Sequence, residues 1–276
     1  MNIFSPPLAM LMNTINRILV AALCVAVFSC ADDENYTPVP LEINEPSSRI
    51  STRKFYHADG SFGLVKFIYD SQGKLQHKDW YNTGNEVDFQ EDFIYEAGKL
   101  VRIDRVIGED KFAEVRLSYT KGKISTMEYW MEDNQEKLQK QHTTQYEYQG
   151  ELLSKTTSVQ HDGSPSYYSL YTYVNENITT IKSYSLATHV LSGESRYTYD
   201  DKPNPFYKVT DQYLGSPLAS SRNNVLQDYT FSASSVPQEQ EIRYSYSYNE
   251  KGLPTELFLV SNENKQYLDE SYTYLE

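Results

Sequence analysis

FIYDSQGKL, residues 67–75, holds a strand end, a turn and the start of a return strand. Phe67 and Tyr69 are two apart, so an extended chain carries both rings on one face and Ile68 on the other. Asp70-Ser71-Gln72-Gly73 follows. Asp closes turns on its own backbone, and Gly tolerates the positive φ that tight hairpins need. Leu75 then opens the strand that runs back.

The unit recurs through the chain: Phe93-Ile-Tyr95, Leu117-Ser-Tyr119, Tyr146-Glu-Tyr148, Tyr171-Thr-Tyr173, Tyr197-Thr-Tyr199, Tyr246-Ser-Tyr248 and Tyr272-Thr-Tyr274. From Tyr69 onward the second positions lie 26, 24, 29, 25, 26, 49 and 26 residues apart. Turn residues and an aliphatic strand opener follow most units: Leu100, Ile124, Leu152, Ile178 and Leu253. A second series of turns falls midway, at Asp59-Gly60, Asn82 to Asn85, Gly108 to Asp110, Asp133-Asn134, Asp162-Gly163 and Asn262 to Asn264. Each repeat of about 26 residues therefore reads as two strands and two turns. The fold class expected is all-β, an antiparallel meander of about sixteen strands. A flat sheet of that size would leave long edges, so a curled, barrel-like closure is expected, with a two-sheet sandwich as the alternative. Met131 to Gln141 reads as a long turn. The 49-residue interval holds Pro203 and Pro205, which stop strand pairing, and Asp211 to Asn224 reads as a long surface loop. Charged residues occupy both faces of segments such as Lys74 to Asp79, with Lys78 on one and Asp79 on the other, which argues against a membrane-spanning barrel.

Before the repeats, Ile18 to Ser29 (ILVAALCVAVFS) is an uncharged run too short to span a bilayer and of the length of a signal-peptide core. Arg17 supplies its positive flank, and Met10 and Met12 are alternative starts to Met1. Val27-Phe28-Ser29-Cys30 resembles the lipobox of bacterial lipoproteins, which implies cleavage before Cys30 and lipidation of it. Asp32, Asp33 and Glu34 directly after it resemble the surface-export signal of Bacteroidetes lipoproteins. The domain plan is then a signal peptide over 1–29, a lipidated Cys and acidic, Pro-containing tether over 30–50, and one β-repeat domain over 51–276. Removing residues 1–29 takes away Arg17 alone and shifts the net charge from −13 to −14. Such a chain repels phosphate backbones, so nucleic acid is not an expected partner. The expected partners are the membrane, through the lipid, and an envelope protein or polysaccharide.

Tyr69 to Leu75 resembles the YD repeat of Rhs-type shell proteins. A wider resemblance rests on Tyr197-Thr-Tyr199-Asp200-Asp201-Lys202-Pro203-Asn204-Pro205-Phe206, on Ser221 to Val225, and on Tyr246-Ser-Tyr248-Asn249-Glu250-Lys251-Gly252-Leu253-Pro254-Thr255. These resemble a family of Bacteroidetes lipoproteins, porin-like in fold and of unknown function. The resemblance implies an outer-membrane, surface-exposed or periplasm-facing β domain and supplies no catalytic residues.

Catalytic signatures are scarce. His57, His77, His142, His161 and His189 form no metal-binding pair, and neither a nucleophile elbow nor a phosphate loop occurs. No cofactor is expected. Adjacent acids such as Glu91-Asp92 and Asp200-Asp201 would face opposite ways on a strand, which weakens a hydrolase reading. The candidate ligand-binding residues are Trp80, Tyr81, Tyr129 and Trp130, at the ends of return strands about two repeats apart, where rings could stack on sugar C–H faces. The function expected is binding or assembly at the envelope without catalysis, with glycan binding as the alternative.

Overall fold

The computed structural model describes residues 49–207, 209, 214–233 and 237–275. Sixteen strands follow in order: β1 (Ile50–Tyr56), β2 (Phe62–Tyr69), β3 (Leu75–Tyr81), β4 (Val87–Glu96), β5 (Lys99–Ile107), β6 (Asp110–Thr120), β7 (Lys123–Glu132), β8 (Leu138–Gln149), β9 (Leu152–Gln160), β10 (Pro165–Val174), β11 (Asn177–Ser185), β12 (Leu191–Pro203), β13 (Asn223–Ser232), β14 (Gln238–Tyr248), β15 (Pro254–Val260) and β16 (Gln266–Tyr274). One helical turn, α1 (Pro217–Ser220), lies between β12 and β13. Every strand pairs antiparallel with its sequence neighbours, and β16 pairs with β1 to close a barrel, with Arg53 opposite Tyr272 and Phe55 opposite Glu270. Closure removes the edges that an open meander would expose. The two-sheet alternative does not form.

The second aromatic of each unit marks a break in register. Pairing shifts at Ile68/Tyr69, Ile94/Tyr95, Ser118/Tyr119, Glu147/Tyr148, Thr172/Tyr173, Thr198/Tyr199 and Ser247/Tyr248. A bulge bends its strand and raises the local twist, which is what closing a wide sheet requires. The same tyrosines point inward and need acceptors for their hydroxyls. Tyr69 donates to the Ile50 carbonyl at 3.0 Å, Tyr95 to Leu75 at 3.0 Å, Tyr119 to Leu100 at 2.8 Å, Tyr199 to Ile178 at 2.5 Å and Tyr274 to Pro254 at 2.6 Å. Each bond ties the end of one strand to the first inward residue of the strand before it. In the β13–β14 pair Tyr246 takes the Val225 carbonyl at 2.9 Å, and Tyr248 bonds Asp200 instead. Inside this belt sits the apolar core, with Ile50, Val65 and Ile103 essentially inaccessible, joined by Phe67, Phe93, Val115 and Leu117.

Two segments differ from the sequence reading. The stretch expected as a long turn, Met131 to Gln141, continues β7 and opens β8 around a tight turn. Asp133 Oδ1 accepts the amides of Gln135 at 2.7 Å and Lys137 at 3.1 Å. The long surface loop is the larger correction. Its described part, 214–224, is largely packed inward, with Ala219, Ser221 and Asn224 buried. Buried Asn204 holds both ends of this insertion, its amide donating to Leu218 O at 2.5 Å and Ser221 O at 2.9 Å. Ser221 Oγ accepts the Ile178 amide at 3.0 Å, and Phe206, Val209 and Leu214 pack on the core. A polar-looking sequence turns inward here because Asn and Ser side chains satisfy the backbone that burial would otherwise strand.

Tyr95→Phe should destabilise the barrel by about 1–2 kcal/mol by leaving the Leu75 carbonyl without its partner. Outer-wall Tyr81→Phe should stay within about 0.5 kcal/mol. Urea melts of the two variants check this. Burial raises the titration of Tyr69, Tyr199, Tyr246 and Tyr274, and pushes Tyr244 up to about 12. An unfolded tyrosine ionises near pH ~10. The folded chain therefore keeps protons that the unfolded chain has lost. The stabilisation is complete below about pH 10 and is lost as the pH climbs toward the folded values. Circular dichroism across this range should show cooperative alkaline unfolding.

Candidate functional site

Cys30, Asp32, Asp33 and Glu34 lie outside the described residues. The four aromatic candidates are described, and strand alternation divides them. Trp80 points inward, parallel to Phe89 with centroids 5.2 Å apart and to Phe55 at 6.1 Å. Tyr129 also packs on the core, 5.5 Å from His142 and with Arg105 above its ring at 5.9 Å. Tyr81 lies on the outer wall under Lys66, 4.3 Å away. Trp130 lies there too, under Arg116 at 4.2 Å, its indole N–H donating to Glu128 at 3.2 Å. The four rings do not form one strip.

Trp80 instead lines a cavity of about 270 Å³ inside the barrel, between the insertion and strands β1 to β3 and β13 to β16. Its other walls include Phe55, Phe206, Tyr244 and Tyr246. Charge enters at three points. On β1, Arg53 makes a two-pronged contact with Glu270, both bonds 2.5 Å, and its guanidinium lies over Phe55 at 4.3 Å and Phe206 at 5.1 Å. Tyr272 adds a hydroxyl to Glu270 at 2.8 Å. On β3, Lys78 is 2% exposed and reaches Glu91 at 3.2 Å, while Arg105 holds the other oxygen of Glu91 at 3.0 Å. Burial drives the Lys78 ammonium below its usual range against the pull of Glu91.

The third point is Asp269. On β16 the register slips between Glu270, opposite Leu257, and Leu268, opposite Phe258, so Asp269 is the extra residue of a bulge. Two adjacent carboxylates thereby line the same cavity, contrary to the expectation that neighbouring acids face opposite ways. Burial first and the Glu270 charge second raise the Asp269 carboxyl above its usual range, with Arg53 opposing. The pairs singled out from sequence behave differently. Glu91 is inside with its two cations, and Asp92 is outside at 2.6 Å from His77 Nδ1. Asp200 ties Asn224 and Tyr248, and Asp201 meets Lys202 on the surface. Sequence reasoning missed Arg53, Lys78, Asp269 and Glu270. Lys78 was within reach, two residues before Trp80 and so on its face, but nothing local marks the β16 bulge.

The outer wall carries charge along much of the barrel. Arg102 meets Asp104 at 3.0 Å, Lys111 meets Glu114 at 2.6 Å, Lys140 meets Glu128 at 3.3 Å, and Arg196 meets Glu194 at 2.6 Å. Among the described residues no helix is long and apolar enough to cross a membrane, a statement that leaves strands aside.

By sequence, no protein-family model and no curated protein matches the chain. By structure, a porin-like protein of Bacteroides uniformis ATCC 8492 superposes with a TM-score of 0.54 at 16% identity, over 84% of this chain and 98% of that one. The likeness is one of fold. A porin-like protein of Bacteroides vulgatus ATCC 8482 gives the same score at 14% identity, over 82% of this chain and 98% of that one.

Glu91→Ala should cost about 3–5 kcal/mol, because it leaves Lys78 and Arg105 without their counter-charge in the interior. Glu128→Ala on the outer wall should cost less than about 1 kcal/mol. Chemical denaturation of both variants measures the contrast.

Proposed function

We propose that this chain is a lipid-anchored, extracytoplasmic protein of the cell envelope that acts by binding within its barrel, without catalysis. The observation that carries the reading is the interior cavity beside the inward-packed insertion. That lumen holds Phe206 and paired charges. The charged outer wall supports a barrel outside the hydrocarbon, since each Lys or Arg facing lipid at mid-depth would cost about 2–4 kcal/mol. The apolar run ending at Cys30 and the acidic residues after it support attachment through a lipid and display at the cell surface.

Against a hydrolase, the two most buried carboxylates of the interior are already committed. Glu270 is held by Arg53 and Tyr272, and Glu91 by Lys78 and Arg105. Asp269 is then the single uncommitted carboxyl lining the cavity, since inward-facing Asp228 lies off its wall, where glycoside hydrolysis commonly needs two. A polysaccharide is too large for the cavity and would have to use the outer-wall rings Tyr81 and Trp130, each with one face already under a cation.

Membrane fractionation tests the anchor. The wild-type chain should partition with membranes, and Cys30→Ser should appear in the soluble fraction, still folded by its alkaline-sensitive circular dichroism signal. Retention of Cys30→Ser in carbonate-washed membranes would mean that the barrel itself is embedded.

A further inference from the structure

We propose that the interior cavity takes a small organic cation of the alkylammonium class, with Asp269 as its counter-ion and the surrounding rings as its apolar seat. The inference rests on the reading of the lumen as a binding site and names the chemistry of what it holds.

Both cations on the cavity wall have partners, Arg53 in Glu270 and Lys78 in Glu91. Asp269 has neither a hydrogen bond nor an ion pair among the described residues, and the Tyr244 hydroxyl likewise has no hydrogen-bond partner there. The bulge on β16 holds this carboxylate against the cavity. The local potential is negative as well. After burial, the influences raising the Tyr244 phenol include the charges of Asp228, Asp269 and Glu270. At Asp269 itself Glu270 outweighs Arg53. An unpaired carboxylate half-sunk in an aromatic enclosure is unfavourable unless a cation joins it. Trp80, Phe206, Tyr244 and Tyr246 supply the ring faces and edges on which an alkylated ammonium gains both cation–π attraction and burial.

A sugar fits the same volume less well. An enclosed hexose brings five hydroxyls that need partners, and among the described residues the uncommitted side-chain groups on the wall are Asp269, Tyr244, Ser216 and the buried indole N–H of Trp80. Hydroxyls left unmatched would count against binding. An alkylammonium has no such requirement.

Isothermal titration of the full chain with choline, with its uncharged isostere 3,3-dimethyl-1-butanol and with glucose tests the assignment. Choline should bind saturably, at least about tenfold tighter than the isostere. Asp269→Asn should bring choline down to the isostere's level and, by removing an unpaired half-buried charge, should raise the melting temperature. The outer-wall variant Tyr81→Phe should bind as wild type does. A second readout needs no change at Asp269: in a Trp130→Phe background, choline should alter the emission of Trp80. Equal binding of choline and isostere, unaltered binding by Asp269→Asn, saturation by glucose alone, or no saturable signal with choline at millimolar concentrations would each overturn the proposal. The anchor reading fails separately, by the fractionation of Cys30→Ser, whatever the cavity holds.

Discussion

A tyrosine hydroxyl turned into a protein interior has to find an acceptor, and in this barrel the acceptor is repeatedly the carbonyl that begins the preceding strand. The belt from Tyr69 to Tyr274 follows from that constraint. Each such residue also sits at a register shift whose extra residue lies on the partner strand, as Gln76 does opposite Tyr69, so the bulge that bends the sheet lies beside the hydroxyl that pins the bend. Sixteen antiparallel strands have no intrinsic reason to close. A bend placed at every repeat and locked by a side-chain bond supplies one. The aromatic ring meanwhile contributes the apolar area that a chain poor in aliphatic runs would otherwise lack.

The insertion between β12 and β13 depends on the same belt. Tyr199 donates to the Ile178 carbonyl and accepts from Ser221 Oγ, and Ser221 in turn takes the Ile178 amide. One belt position is thus extended into an anchor for nineteen inserted residues, 204–222. Phe206, Val209 and Leu214 pack against the core, and the remaining gap against β1 to β3 and β13 to β16 is the cavity. Burying Arg53, Lys78, Glu91 and Glu270 around that gap costs desolvation that their pairing only partly offsets. Replacement by apolar residues would serve stability as well or better, which is why these residues read as belonging to a site.

Much of the architecture was legible in the chain itself. The spacing of two within Phe67-Ile-Tyr69, the turn chemistry of Asp70 to Gly73 and the recurrence near 26 residues act locally, through backbone periodicity and tight-turn geometry, and local rules can be read without coordinates. They yielded the strand number and the antiparallel meander, and the exposed edges of a flat sheet argued for closure.

The tertiary structure decided what depends on distant partners. Alternation says that Trp80 and Tyr81 part company, but only the closed sheet says which of them meets the lumen. Asp211 to Asn224 reads as a surface loop from its Gly, Pro, Ser and Asn residues, and its described part, 214–224, is largely packed inward because Asn204 and Ser221 find carbonyls and amides there. Asp269 and Glu270 share a cavity because β16 slips by one residue between them, a slip set by β15. Local sequence determined the repeating hairpin, because a hairpin is made by neighbours. The cavity and its charges were left to the fold, because their partners lie on the far side of the barrel's closure, as far apart in the chain as Arg53 and Glu270.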